Sequence, residues 1–505
     1  MARFFLILDG VRINSAEDLV QHFNPHDILD RFHSGALQRW LAEQSLGEWL
    51  EKVRSIGDNL TDDETIRSLG AVFGIKDKVE ENLSELDDSL RFATSDEERR
   101  ELFQGSDGER NIDRLTKLAE QGDVSAMKIL GILYQDGIGV SVDMRKAFQW
   151  WKLAAESGDV SCQFCVGNCY QSGEGAERSD VEAYRWFVKA ADQGDAMAQV
   201  ETGRALLGGY GVDKNEKAAL GWFKKAADQK NADGQYWLGL CLIDSDKNAE
   251  KKTAVQMFKC AAEQGHADAC DELGTCYQEG EGVEEDDETA VEWFRKAASR
   301  GSSDGMFHLG KCYYQGTGVE ENDAEAVKFF REAADGGSSE AKTYLGKCYL
   351  YGHGVDESND QALKLFLEAA EEGERTAKTM VGRCYDEGWG TDENFEKAAE
   401  WYLKAAEEGC PEANGRLGIL ALFGKGIEED QQFGYRLVKE AAETLGSDQF
   451  QYVVGLCLEN GRGVKQDKAE AAKWFKLAAD QGSEEAAKRY RICTGTAGFF
   501  ETVFG

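Results

Sequence analysis

A chain of 505 residues with a formal net charge of −36 is too long for one compact core and too acidic to favour polyanions. Each phosphate of a nucleic acid or of an anionic membrane surface would meet like charge, so we expect no nucleic acid and no membrane among its partners. The two prolines, Pro25 and Pro411, are compatible with long uninterrupted helices. The apolar run in the opening "MARFFLILDG" is shorter than a secretory or membrane-spanning segment, which favours a cytoplasmic protein.

Residues 1–75 have the composition of a small separate module. The apolar runs around Asp9-Gly10 in "FFLILDGVRIN" predict a β-hairpin. Helix-start boxes begin at Ser15 and Thr61, and the apolar spacing between them predicts several short amphipathic helices. This region resembles a small module that precedes repeats in some bacterial proteins. The resemblance implies a bacterial origin and an adaptor-like layout.

Two further segments flank the central part of the chain. Residues 76–110 are acidic and rich in helix formers, as in "VEENLSELDDSLRFATSDEERRELF", and predict a helical linker or cap. Near the carboxyl end, "SEEAAKRYRI" predicts a polar helix that closes the array, and 493–505 form an apolar tail. Two alternatives stay open for this tail, docking on the last hairpin or binding another subunit.

Between these segments, residues 111–492 repeat one pattern ten times. The step is 36 residues, with one step of 35 and one of 37, and the recurring glycines are Gly131, Gly167, Gly203, Gly239, Gly274, Gly310, Gly346, Gly382, Gly418 and Gly455. A double alanine recurs with the same step, as at Ala297-Ala298. Such self-similarity predicts a repeat architecture in place of a single globular core.

Each copy contains two helical segments divided by a glycine-containing loop. In "LGTCYQEGEGVEEDDETAVEWFRKAASRG", Gly280 and Gly282 supply the positive φ that a turn requires. The second segment has an apolar face with helical spacing, formed by Ala290, Trp293, Phe294 and Ala297. A lone hairpin would expose that face, so we expect the hairpins to stack, with small residues allowing close approach.

The stretches "LGKCYLYGHGV" and "EKAAEWYLKAAEEG" resemble the Sel-1-like repeats, helical relatives of the tetratricopeptide repeat. The resemblance implies an all-α fold, a right-handed α/α superhelical solenoid of about ten helical hairpins. We expect the small amino-terminal module ahead of it to be mostly helical and to include the β-hairpin. It also implies a non-catalytic protein–protein interaction scaffold or adaptor. The fourth copy departs from the pattern, because it lacks Gly-x-Gly and has Lys230 in place of a glycine. That departure either bends the solenoid or is harmless drift.

The thirteen cysteines are expected to be reduced, because their number is odd and no export signal is present. Seven of them recur two residues after the repeat glycine: Cys169, Cys241, Cys276, Cys312, Cys348, Cys384 and Cys457. Other copies have Leu133, Ala205 or Leu420 there, which indicates a packing position. The cluster of Cys162, Cys165 and Cys169 lacks a nearby histidine, so we expect core packing and no metal or other cofactor.

The alternative function is hydrolysis of β-lactams, an activity attributed to cysteine-rich Sel-1-like relatives. Ser125 and Ser339 each precede a lysine by three residues, as in penicillin-interacting serine enzymes. Both lie at the start of a first helix, where serine is favoured as a cap, and the partner motifs Lys-Thr-Gly and Ser-Asp-Asn are missing from the sequence. We therefore predict that the protein is not an enzyme.

The resemblance to tetratricopeptide repeats places the first helix of each hairpin on a concave face. The position after the repeat glycine is basic in three consecutive copies, and neighbouring inner positions are apolar; these candidate residues are Lys311, Lys347, Arg383, Phe307, Tyr314 and Leu350. We predict that this groove binds a protein or acidic peptide, because lysine and arginine form strong charge-assisted hydrogen bonds with carboxylates. In the alternative interpretation, these cations only neutralise acidic residues on adjacent helices.

Overall fold

The computed structural model describes residues 6–8, 11–44, 46–57, 60–93, 95–104 and 108–494. The chain forms two compact units, Met1–Gly234 and Gln235–Gly505. Helices, most of them arranged as stacked hairpins, account for most of the described structure, which confirms the predicted all-α class. Residues 495–505, which hold most of the predicted apolar tail, lie outside the described residues.

The amino-terminal module combines a β-hairpin with short helices. Strand β1 (Leu6–Leu8) pairs antiparallel with β2 (Val11–Ile13), and Leu8 lies opposite Val11. The predicted turn at Asp9-Gly10 lies outside the described residues. The helices that follow are α1 (Ala16–Gln21), α2 (Pro25–His33), α3 (Ala36–Glu43), α4 (Gly47–Arg54), α5 (Asp62–Phe73), α6 (Lys76–Arg91) and α7 (Asp96–Phe103).

Both predicted helix starts are present in the module. Ser15 accepts a hydrogen bond from the backbone N–H of Asp18. Thr61 and Glu64 form a reciprocal capping box at the start of α5. The caps satisfy backbone N–H groups that have no partner inside a helix.

Helix α6 contributes to two apolar cores. Its Leu83 is buried in the module core around Trp40, whereas Leu90 is buried in the core of the first repeats. Arg114, two helices farther along the chain, forms ion pairs with Asp63 and Asp87. The predicted linker is therefore packed on both sides; the boundaries at residues 75, 110 and 492 stay predictions.

The remaining helices of the first unit begin with α8 (Gly108–Glu120), which precedes the first hairpin. They continue as α9 (Val124–Asp136), α10 (Met144–Glu156), α11 (Val160–Ser172), α12 (Asp180–Asp192), α13 (Ala196–Gly208) and α14 (Glu216–Asp228). Helix α15 (Ala232–Ile243) begins at the end of this unit. From α9 onward, each odd-numbered helix is the first and each even-numbered helix the second of a hairpin.

The second unit continues the same alternation. Its helices are α16 (Asn248–Glu263), α17 (Ala267–Glu279), α18 (Asp287–Ser299), α19 (Ser303–Gln315), α20 (Asp323–Asp335), α21 (Ser339–Tyr351), α22 (Asn359–Glu371), α23 (Arg375–Glu387), α24 (Phe395–Glu407), α25 (Pro411–Phe423), α26 (Gln431–Leu445), α27 (Asp448–Asn460), α28 (Lys468–Asp480) and α29 (Glu484–Thr494). Helix α29 packs against α28, as expected of a closing helix.

Nine of the ten repeat glycines let an aromatic ring from the second helix approach the first helix, whereas Gly418 packs against Gly434 and Leu437. A Cβ atom on Gly274 would lie only 2.5 Å from a ring carbon of Phe294, closer than carbon atoms can pack. The loop glycines have the predicted positive φ, 68° at Gly280 and 70° at Gly282. The residues that recur in the sequence therefore serve hairpin closure and stacking.

The fourth repeat keeps its hairpin despite the departures in its sequence. Lys230 has φ 62° and is the only described non-glycine residue with positive φ. Gly239 still contacts Phe258, with a Cβ position 2.5 Å from its ring. The local pairing of the two helices thus survives the loss of Gly-x-Gly.

Candidate functional site

The three predicted cations lie on consecutive first helices of the second unit. Lys311 lies on α19, Lys347 on α21 and Arg383 on α23, each one residue after a repeat glycine, and all three are half-buried. The rings of Phe307 and Tyr344 lie 5.3 Å apart, so α19 and α21 are direct neighbours. We call the surface formed by these three cations and the adjacent aromatic side chains the cationic row.

Lys347 is a charged group held partly out of water. Burial lowers the pKa of its ammonium group, and nearby Arg383 lowers it further, against the opposing effects of Glu412 and Glu374. Its Nζ lies 4.6 Å from the ring centroid of Tyr344. Within the described part of the chain it forms no ion pair, and the same holds for Lys311.

Arg383 is only partly neutralised by its surroundings. Its Nη1 lies 4.0 Å from an Oε1 atom of Glu412, at the outer limit of an ion pair. Its guanidinium lies 4.9 Å from the ring centroid of Trp389, and its buried Nε has no hydrogen-bond partner. The fold thus leaves one buried donor of this guanidinium without a partner in the described part of the chain.

Two other lysines on the helices of the cationic row form ion pairs. On the same helices, Lys342 forms an ion pair with Glu372, and Lys378 forms one with Glu408. The alternative that cations merely neutralise acidic neighbours therefore fits Lys342 and Lys378 well, and it fits Arg383 in part. Lys347 forms no ion pair within the described part of the chain, and Glu412 and Glu374 act on it only from a longer distance.

Aromatic side chains lie beside the cations. Tyr314 and Tyr344 pack edge to face with ring centroids 6.1 Å apart, and Phe307 packs edge to face on Tyr344. Tyr351, at the end of α21, is 49% exposed. These rings provide apolar surface next to positive charge.

Leu350 is not part of this surface, so that prediction was wrong. The side chain is only 6% exposed and belongs to a core cluster with Phe366 and Ala377. The fourth position after the repeat glycine faces the neighbouring second helix and the next first helix, where a leucine is buried. Tyr314, at the same position one repeat earlier, is only half-buried.

An acidic group on neighbouring first helices was missed in the sequence. Asp271 lies 2.8 Å from His308 Nδ1, and burial together with Asp271 raises the pKa of Glu272 to about 7. Both Glu272 and His308 lie two residues before a repeat glycine. Comparing this second recurring position across copies would have revealed them.

The cysteines behave as buried thiols. None of the thirteen forms a disulfide in the described part of the chain, and of the seven at the recurring position only Cys241 is half-buried, the others being buried. Burial raises the pKa of Cys276 to about 12, which disfavours the reactive thiolate. Within the described part of the chain, no group of three or more potential ligands is arranged to bind a metal ion.

Both members of the Ser339–Lys342 pair have acidic partners. Lys342 is paired with Glu372, and the Ser339 hydroxyl donates a hydrogen bond to Glu340. The helix that contains Ser125 is capped by Asp123, two residues earlier, and the helix that contains Ser339 is capped by Ser338, one residue earlier. The expectation that Ser125 and Ser339 act as caps was therefore wrong.

The Sel1 repeat family model matches ten consecutive segments. They are 124–159, 160–195, 196–231, 232–266, 267–302, 303–338, 339–374, 376–410, 411–443 and 449–483. These matches cover more than half of the chain and coincide with the ten predicted copies. The chain belongs to the Sel1 repeat family. Members of this family generally act as protein-interaction scaffolds, and their fold is typically non-enzymatic.

A solved structure with an SLR fold resembles this one, and two further matches have lower TM-scores. The crystal structure of c5321, described as a protective antigen of uropathogenic Escherichia coli strains with an SLR fold, is 29% identical with a TM-score of 0.61, covering 82% of this chain and 91% of that chain. A Sel1 repeat protein from Oxalobacter formigenes is 29% identical with a TM-score of 0.46, covering 65% of this chain and 96% of that chain. Helicobacter pylori cysteine rich protein B is 31% identical with a TM-score of 0.21, covering 25% of this chain and 90% of that chain.

A search of curated proteins found no match. Among the described residues, no helix is both long enough and apolar enough to span a bilayer.

Proposed function

We propose that this Sel1-repeat protein is a non-catalytic cytoplasmic scaffold that binds an acidic segment of a partner protein on the cationic row. The observation that carries the proposal is the environment of Lys347. Lys347 has a half-buried ammonium group without an ion pair, and it is flanked by a tyrosine ring and a second cation. Binding of a carboxylate to such a group is favourable, because it supplies a charge-assisted hydrogen bond.

The overall charge of the chain makes this site selective. In a protein of net charge −36, an acidic ligand is repelled by most of the surface. Lys311, Lys347 and Arg383 form a local region of opposite sign. The adjacent rings of Phe307 and Tyr344 add apolar contact at the same place.

Binding of a fluorescein-labelled oligoglutamate probe to the full chain tests this proposal. The variant Lys311→Glu/Lys347→Glu/Arg383→Glu should weaken binding by more than about tenfold, since it replaces attraction by repulsion. The control variant Lys328→Glu/Lys364→Glu/Lys439→Glu changes net charge equally, on second helices, and should weaken binding only slightly.

Circular dichroism establishes that both variants are folded. A glutamine version of the first variant, which introduces no repulsion, should still lose most of the binding. Equal probe affinity in the wild type, the cationic-row variants and the control would contradict the proposal.

A further inference from the structure

The cations of the cationic row recur at a regular step. Lys311, Lys347 and Arg383 occupy the same position in three consecutive repeats, so one hairpin separates each from the next. Helices α19 and α21 touch through Phe307 and Tyr344, and α21 also packs against α23. Packed helices lie about 8–10 Å apart, so the cations recur at roughly that interval.

Among extended conformations, polyproline II fits this interval. It has three residues per turn and a rise of about 3.1 Å, so every third side chain points the same way at steps of about 9 Å. A β-strand instead returns to the same face every second residue, at about 6.6 Å. Carboxylates at every third residue of a polyproline II segment would therefore each face one cation.

The aromatic side chains fit the same type of ligand. Lys347 lies over Tyr344 at 4.6 Å and Arg383 over Trp389 at 4.9 Å, so a ring accompanies each of these cations. Aromatic-lined surfaces bind proline rings, as in the recognition of proline-rich segments by other domains. The hydroxyls of Tyr314 and Tyr344 make no hydrogen bond within the described part of the chain. They can donate to the carbonyl groups of polyproline II, which lack internal partners.

We infer that the cationic row selects a proline-rich acidic segment of a partner protein, in polyproline II conformation, with a carboxylate at every third residue. This inference rests on the proposed function and specifies its ligand. An α-helical ligand with glutamates seven residues apart also repeats at about 10 Å, and it is the competing geometry. Its helix would present no proline rings to Tyr344 and Trp389.

Fluorescence polarisation with three labelled peptides on the full chain tests the inference. The first is (Glu-Pro-Pro)4, and the second has the same composition with its four glutamates consecutive. The third is an alanine-rich helical peptide with glutamates seven residues apart. We expect (Glu-Pro-Pro)4 to bind about tenfold more tightly than either of the others, equivalent to one additional charge-assisted contact.

Substitutions test whether Lys347 and Arg383 cause the preference for (Glu-Pro-Pro)4. Lys347→Gln and Arg383→Gln should each reduce the preference for (Glu-Pro-Pro)4 to less than about threefold. Lys364→Gln, an exposed lysine on α22, should leave it unchanged. Circular dichroism confirms folding, and the comparison of the three peptides on the wild type requires no variant.

The outcomes separate the inference from the proposed function. Equal binding of all three acidic peptides, or tighter binding of the helical or clustered peptide, overturns the inference and leaves an acidic-ligand site in place. A preference for (Glu-Pro-Pro)4 that survives both glutamine substitutions also overturns it. Absence of binding by every acidic peptide contradicts both.

Discussion

Gln193, at the end of α12, donates a hydrogen bond from Nε2 to Oε1 of Gln163 on α11, 2.8 Å away. Gln163 is buried and donates in turn to the carbonyl of Ala155 in the preceding repeat, at 3.2 Å. The same pairing, 30 residues apart, recurs between Gln199 and Gln229 at 2.9 Å. A buried polar position thus links neighbouring hairpins.

Removing one partner of this link should destabilise the protein. Gln229→Ala leaves the buried Gln199 without its donor, and we expect a loss of about 1–3 kcal/mol in urea unfolding followed by circular dichroism. Gln171→Ala removes an exposed hydrogen bond to Glu201 and should cost less than about 0.5 kcal/mol.

In a later repeat the two glutamine positions hold a lysine and a glutamate that form an ion pair, so the glutamine pair can be replaced by this ion pair. Gln199→Lys/Gln229→Glu, which copies Lys342 and Glu372, should be more stable than Gln199→Lys alone. If the double variant is the less stable of the two, the two positions do not act as a pair.

The repeat glycines should tolerate no added methyl group. Gly203→Ala would place Cβ 2.5 Å from a ring carbon of Phe223, so we expect about 1–3 kcal/mol of destabilisation from overpacking. Gly221, on α14 of the same repeat, has no neighbouring atom within 4 Å of a Cβ. Gly221→Ala should instead stabilise the helix by about 0.5–1 kcal/mol. Similar effects of both substitutions would refute the packing role of Gly203.

The left-handed conformation of Lys230 should carry a measurable cost. Lys230→Gly relieves the strain of φ 62°, and we expect a gain of about 0.5–1 kcal/mol in unfolding free energy. Gly265→Ala, at the corresponding position one repeat later with φ 100°, should be destabilising. A destabilising Lys230→Gly would show that the lysine side chain contributes more than its backbone strain costs.

Glu272 should make stability depend on pH. The folded chain holds its proton up to a pKa of about 7, whereas the unfolded chain releases it near the ordinary value of 4.5. The folded state therefore binds more protons between these values, and this group lowers stability as pH rises from about 4.5 to 7. Glu272→Gln should be more stable than the wild type at pH 8 by on the order of 1 kcal/mol, and the difference should vanish near pH 4. A pH-independent difference between the two proteins would contradict this assignment.

Recurrence in the sequence predicted the hairpins because each recurring residue has one packing role. Gly280 and Gly282 have the expected positive φ, and Gly274 approaches Phe294 as expected. Side-chain exposure was harder to predict, because one position can be buried in one repeat and half-buried in the next, as at Leu350 and Tyr314. That difference depends on contacts with neighbouring repeats, and the residue pattern within one repeat does not specify those contacts.

The acidic group around Glu272 was missed for a related reason. Its pKa depends on burial and on Asp271, and its electrostatic surroundings include His308 from the next repeat. No single copy of the repeat contains all these residues. The sequence could indicate the charges, whereas their mutual distances required the stacked hairpins.

The position of a bound acidic peptide tests the central claim most directly, namely that hairpin stacking leaves a cationic surface on the first helices free for recognition. A crystal structure of the full chain with (Glu-Pro-Pro)4 should show peptide carboxylates within about 3 Å of Lys347 Nζ and the Arg383 guanidinium. A peptide bound only to the second helices, or away from both cations, would contradict the account.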